Sequence, residues 1–187
     1  MMAPTHRLGG IAVGMTTAAL LHTDITGTVI LFAGALIGSI FPDIDNKNSR
    51  ISHKMPITAL VVSAGRYLIR GIASFLPRKQ KQYIMALTGH RGFTHSLIGS
   101  AVLPVIVILI GLLLRLKIGY ILLAGLGIFI GCLSHLLLDM LSGGVPLLMP
   151  FSTDKILISE IKTGGSKEWL FRLCLLLILI FSISLYA

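Results

Sequence analysis

Three apolar runs, at 96–114, 118–138 and 169–187, most constrain what this chain can fold into. Each is close to the ~20 residues an α-helix needs to cross the hydrocarbon core of a bilayer. Two shorter runs, 8–21 and 27–41, read as further spans. A helix of about 15 residues rises only about 22 Å, so these two must borrow flanking residues, thin the bilayer locally, or be shielded by neighbours. Composition agrees, with 55% hydrophobic residues, 12% charged and a mean hydropathy of +0.91. Such a chain is too apolar for an ordinary soluble domain. The expected fold is all-α: one integral membrane domain over 1–187, a polytopic helical bundle of about five transmembrane helices.

Segment 57–76 is apolar enough to be a helix, yet carries Arg66 and Arg70 one turn apart. If it crossed the bilayer, something in 77–94 would have to cross back, and the stretch from Pro77 to Gln82 is too polar to do so. The segment therefore reads as an interfacial amphipathic helix. Ile57, Leu60, Val61, Ala64, Leu68 and Phe75 would face lipid or protein, and the arginines would meet anionic lipid headgroups. The net charge of +9 invites comparison with nucleic-acid binders. Its basic residues are instead scattered around membrane segments without interleaved aromatics on a soluble face, so no nucleic-acid partner is expected. Cys132 and Cys174 both lie inside apolar runs, which excludes a disulfide framework and points to core packing. Oligomeric state is not legible in the sequence.

The polar residues gather at the ends of the runs. If 8–21 and 27–41 form one helical hairpin and 96–114 and 118–138 another, His6, Asp43, His95, His135 and Asp139 all fall on one side of the membrane. That side also holds Arg7, Lys47, Arg50, Lys54, Arg78, Lys79, Lys81 and Arg91, whereas Arg115 and Lys117 are the basic residues opposite. The positive-inside tendency makes the motif side cytoplasmic. Gly34 and Gly38 in one hairpin, and Gly127 and Gly131 in the other, are spaced to let helix backbones approach closely just beneath these ends.

The residue types at those ends suit a metal. His135 and Asp139, four apart on a helix, project from one face and can chelate one ion. Pro42 breaks the preceding helix and leaves Asp43 and Asp45 on a turn, able to reach an ion from different angles. In the octapeptide from Gly89 to Ser96, glycines flank His90 and Arg91, His95 precedes the next span, and Thr94 or Ser96 can cap that helix. Arg91 can bond a phosphate in bidentate fashion. His6 and His53 complete a candidate set of His6, Asp43, Asp45, His53, His90, His95, His135 and Asp139. One zinc needs three or four protein ligands, so this set is sized for two divalent ions. Histidines favour Zn or Fe, and aspartates suit Mn or Mg; zinc fits the mixture best.

Three motifs taken together, Pro-Asp-Ile-Asp at 42–45, Gly-His-Arg-Gly-Phe-Thr-His-Ser at 89–96 and Ser-His-Leu-Leu-Leu-Asp at 134–139, resemble the YdjM-like family of inner-membrane proteins, described as metal-dependent hydrolases. The resemblance runs in order from about 6 to 150. It implies a location in the bacterial inner membrane and a distant, membrane-embedded relative of the zinc-dependent phospholipase C and P1-nuclease fold. His6, Asp43, Asp45, His90, His95, His135 and Asp139 occupy the matching motif positions, and His53 lies outside them. Glu168 resembles an acidic position after the last loop in relatives, as a ligand or general acid; its other role is to favour a helix N-terminus.

The expected function is that of a membrane-bound phosphoesterase in which metal-activated water attacks a phospholipid or polyprenyl-phosphate-type lipid. Arg91 would stabilise developing negative charge and Glu168 would assist catalysis. A non-enzymatic metal-binding membrane protein, whether transporter, sensor or scaffold, is the alternative. A transporter would need acidic or histidine residues in mid-span, and 98–114 and 118–134 contain none.

Overall fold

The computed structural model describes residues 1–45, 56–89 and 91–185, apart from the side chains of 44, 45 and 56–62. These residues form seven α-helices and no strand. In chain order they are α1 (Ala3–Leu20), α2 (Ile25–Gly38), α3 (Pro56–Ala73), α4 (Arg78–Leu87), α5 (Leu97–Leu113), α6 (Ile118–Met140) and α7 (Ser166–Ser184). Short 3-10 turns at Phe41–Asp45 and Phe93–His95 follow α2 and precede α5.

Local signals explain most boundaries. Pro4 opens α1 several residues ahead of the apolar run, where its missing N–H costs no helix bond, so His6 lies inside the helix. Asp24 caps α2 by accepting from the Gly27 N–H at 2.8 Å, and Ser96 caps α5 by accepting from Gly99 at 3.0 Å. The second helix stops at Gly38, ahead of Pro42, which sits within the 3-10 turn. The α4 helix is an addition to the expected elements. Its Arg-Lys-Gln-Lys-Gln start is too polar to span, but those are strong helix formers, and α4 folds back on α3 instead.

Helices α1, α2 and α6 pack on one another, α5 packs on α6, and α7 packs on α1. The α2–α6 seam is built on the four glycines. A Cβ at Gly38 would stand 2.0 Å from the Ile128 carbonyl oxygen, and one at Gly131 would stand 2.2 Å from that of Ala35. The backbones themselves are therefore in contact, which only glycine at these positions permits. Leu31, Ala35, Cys132 and Leu136 fill the buried core around the seam.

The polarity of the bundle is inverted relative to a soluble protein. Its interior holds buried Thr5, Ser39, Ser100, His135 and Glu168, while Leu109 and Leu113 of α5 and Leu177 and Phe181 of α7 face outward. An apolar exterior of this extent fits a lipid environment. Among the described residues two segments, Ile25–Asp43 and Ile118–Met140, are long and apolar enough to cross a membrane by length and composition. Lys167, Glu168 and Arg172 in the first turns of α7, and the glycines and threonines of α1, reduce the apolar character of those helices. Cys132 is buried as expected, but Cys174 lies on the exterior and is not a core-packing residue.

Candidate metal centre

One end of the bundle collects residues from four parts of the chain. His6 comes from the first turns of α1 and Asp43 from the turn after α2. His95 ends the 3-10 turn before α5, and His135 and Asp139 occupy the last turns of α6. His6, His95, His135 and Asp139 are all buried. Their donor atoms form two overlapping triads, His6 with His135 and Asp139, and Asp43 with His95 and His135, each with ligand atoms within 4.8 Å of one another.

The spacing is that of ligands rather than of hydrogen bonds. Asp139 Oδ1 is 3.4 Å from His6 Nε2, and Oδ2 is 3.5 Å from His95 Nε2 and 3.8 Å from His135 Nε2. Asp43 Oδ1 is 3.7 Å from His95 Nε2 and 3.9 Å from His135 Nε2. These separations exceed the ~3.2 Å limit of a good N–H···O bond. Ligands around a tetrahedral ion with bonds of about 2.1 Å stand roughly 3.4 Å apart, close to the spacing of this group.

The chemistry of the donors supports the same use. His135 Nδ1 lies 2.7 Å from the Ser39 carbonyl oxygen. A carbonyl can only accept, so Nδ1 carries the proton and the neutral ring presents a lone pair at Nε2. That nitrogen is buried and has no hydrogen-bond partner among the described residues. Leaving it so costs about 1–3 kcal/mol, which coordination would recover. The His6 ring stacks on that of His135 with centroids 4.0 Å apart, and the His95 ring meets it edge-on at 5.3 Å. Three packed imidazoles and two carboxylates therefore can hold a divalent ion.

Arg91 reaches this cluster from the loop before α5. Its Nη2 donates to Asp139 Oδ1 at 2.9 Å, and its backbone takes a left-handed φ of 54°. That conformation costs a non-glycine residue of order 1–2 kcal/mol, so the surrounding loop must enforce it. The neighbouring Gly92 is part of that constraint, since a Cβ there would fall 2.4 Å from the Leu87 carbonyl oxygen. The Met1 ammonium lies 3.5 Å from the same Asp139 oxygen and donates to Ser142 Oγ at 2.7 Å.

Glu168 stands in neither triad. It is fully buried, and Met2 N–H and the Thr5 hydroxyl donate to Oε1 while Gly164 N–H donates to Oε2. Arg172 Nε donates to Thr5 Oγ1 at 2.7 Å, and its Nη2 is 3.5 Å from Glu168 Oε1. The bonds from Gly164, Thr5 and Met2 compensate the burial of this carboxylate. The carboxylate thus ties the start of α1 to the start of α7, one residue from His6.

Of the remaining expected ligands, His53, His90 and the Asp45 side chain lie outside the described residues. Two contributors were not anticipated. Ser39 acts through its carbonyl, which every residue type possesses, so no sequence signal marks it. Gly143 gives room to the arginine, because a Cβ there would lie 2.1 Å from Arg91 Nη1. The adjacent glycines 143 and 144, directly after the Ser134–Asp139 motif, were the available clue.

The comparison with known proteins agrees with the apolar exterior. A protein of Bacillus subtilis (strain 168), "Uncharacterized protein YvsG", is 31% identical over 173 residues, covering 91% of this chain and 86% of its own length. No solved structure matches. The YdjM inner membrane protein family matches over residues 1–187, the whole chain. With its inverted polarity, two membrane-length apolar helices and a match along its full length, the chain belongs to the YdjM inner membrane protein family.

Proposed function

We propose that this protein is a membrane-bound, metal-dependent hydrolase that cleaves a phosphoester of a phospholipid or polyprenyl-phosphate-type lipid. The observation that carries the reading is the buried group of three imidazoles and two carboxylates at one end of an apolar bundle. Ionisable groups at that depth are costly and are kept for function. In this reading α1, α2 with its following turn, α5, α6 and α7 are the five spans, and α3–α4 lies at the membrane surface. The metal end, which also carries Arg7, Arg78, Lys79, Lys81 and Arg91, faces the cytoplasm.

Two ions, zinc by preference, fit the division of labour among the ligands. His135 belongs to both triads but has one lone-pair nitrogen, so it can serve one ion only. Asp139 turns Oδ1 toward His6 and Oδ2 toward His95, so its two oxygens could each serve a different ion. When bound, such ions supply acidified water and Lewis acidity toward a phosphoryl oxygen. The Ser39 carbonyl fixes the His135 tautomer and ring direction. Arg91, with 22% of its side chain exposed, can offer further guanidinium N–H groups to a phosphoryl oxygen while Nη2 remains on Asp139.

The test pairs elemental analysis of the purified protein with a panel of lipid phosphoesters, comparing wild type and Asp139→Ala. About two ions per chain and turnover of at least one lipid phosphoester are expected, both lost in the variant. Full metal loading with no turnover across a broad panel would turn the site into a structural or sensing centre. Carefully prepared protein without metal would remove the reading altogether.

A further inference from the structure

The described residues of the α3–α4 hairpin are largely exposed. No residue of α4 is buried, and Leu68, Ile72 and Phe75 at the end of α3 are 67%, 60% and 91% exposed. The hairpin is nonetheless held in a defined place. Arg70 donates from Nε to Thr88 Oγ1 at 2.9 Å and from Nη2 to the Thr88 carbonyl at 2.8 Å, locking α3 to the end of α4. Helix α3 also packs on the Phe41–Asp45 turn that carries Asp43, so the hairpin belongs to the metal end of the bundle.

A shallow, open cleft of about 420 Å³ on α4 and the turn before it is lined by Leu76, Lys79, Gln80, Tyr83 and Ile84. Its floor is apolar, with the Lys79 side chain at its edge. The Tyr83 hydroxyl donates to the Pro150 carbonyl at 2.6 Å, joining the cleft to the segment after α6. That segment in turn receives the Leu97 N–H on the Leu147 carbonyl at 3.0 Å, two residues from His95. On the same segment Leu148 and Phe151 are 58% and 86% exposed.

Charge settles what can cover this surface. From residue 46 to residue 138 the chain contains no Asp or Glu, while the hairpin carries Arg66, Arg70, Arg78, Lys79 and Lys81. A second copy of the same surface would bring like charges together. We propose that the α3–α4 hairpin is a docking surface for anionic phospholipid, with an acyl chain lying in the Leu76–Ile84 cleft and the lipid phosphate on Lys79. Apolar side chains and a lysine on one helical face are the combination that seats an element in the headgroup region of an anionic bilayer. This inference stands whether or not the metal centre is hydrolytic.

The test uses the full-length protein in nanodiscs of phosphatidylglycerol or phosphatidylcholine, each doped with a lipid bearing a photoreactive acyl chain and the matching headgroup. Cross-links from the phosphatidylglycerol probe are expected within residues 75–84, several times more abundant than from the phosphatidylcholine probe. Charge removal in Lys79→Gln should reduce that preference by about fivefold. Metal content of the variant, whose change touches no ligand, reports that it is folded. Should the variant not assemble, the wild-type cross-link map decides alone. Equal labelling by both probes, labelling confined to α5 and α7, or protein–protein cross-links across the hairpin in place of lipid would each overturn the proposal.

Discussion

Asp139 and Glu168 are both buried carboxylates near the start of α1, and the contrast between them separates a ligand site from a structural clamp. Glu168 is met by donors on both oxygens, from Met2, Thr5 and Gly164, with Arg172 beside it. Asp139 has Arg91 on Oδ1, but the imidazoles around it stand at 3.4–3.8 Å, beyond good hydrogen bonding. A buried charge whose partners are fully paired holds a fold together. One beside His135, whose lone pair is directed at it at coordination spacing, is arranged for something else to bind.

The largest expected effect comes from removing the second carboxylate. Asp139→Ala takes a member from one triad and the proposed bridge between both. Metal affinity should fall by more than a hundredfold, since loss of mere outer-shell partners already costs 10–100-fold. Isothermal titration of metal-stripped protein measures this. Glu168→Ala should behave in the opposite way, keeping the metal in folded molecules while losing about 3–5 kcal/mol of stability as Arg172 and three other donors lose their partner. If Glu168→Ala abolished metal binding in folded protein, the contrast would collapse.

An intermediate effect is expected at the helix seam. Gly131→Ala would drive a methyl group into the Ala35 carbonyl, which is backbone and cannot rotate away. The helices must separate, at a cost of about 1–3 kcal/mol or somewhat more. Because the seam lies directly below His135, metal affinity should weaken in step with stability.

Much of this was legible from residue order alone. The glycine pairs on α2 and α6 and the polar ends of the apolar runs were sufficient to bring His6, Asp43, His95, His135 and Asp139 to one place, because short hairpins oblige alternate helix ends to meet. What was not legible depends on backbone rather than side-chain identity. The Ser39 carbonyl that orients His135 would exist with any residue there, and helix α4 follows a proline with a charged stretch that resembles a loop. Glu168 illustrates a third kind of blindness. A carboxylate after a Gly-Gly turn looks the same in sequence whether it faces an ion or a set of backbone and side-chain donors.

The smallest effect is the most discriminating for Arg91. In Gly143→Ala the new methyl would lie 2.1 Å from Arg91 Nη1, the far end of a flexible side chain, so the fold can yield cheaply and stability should change by less than about 1 kcal/mol. The guanidinium, however, must leave its position beside Asp139. If Arg91 carries the substrate phosphate, turnover of a lipid phosphoester should fall about tenfold or more, with metal content unchanged. If Arg91 only balances the charge of Asp139, the same variant should alter metal affinity and leave the turnover of the loaded protein as it was. Measuring both quantities on one variant therefore assigns the arginine either to the substrate or to the carboxylate.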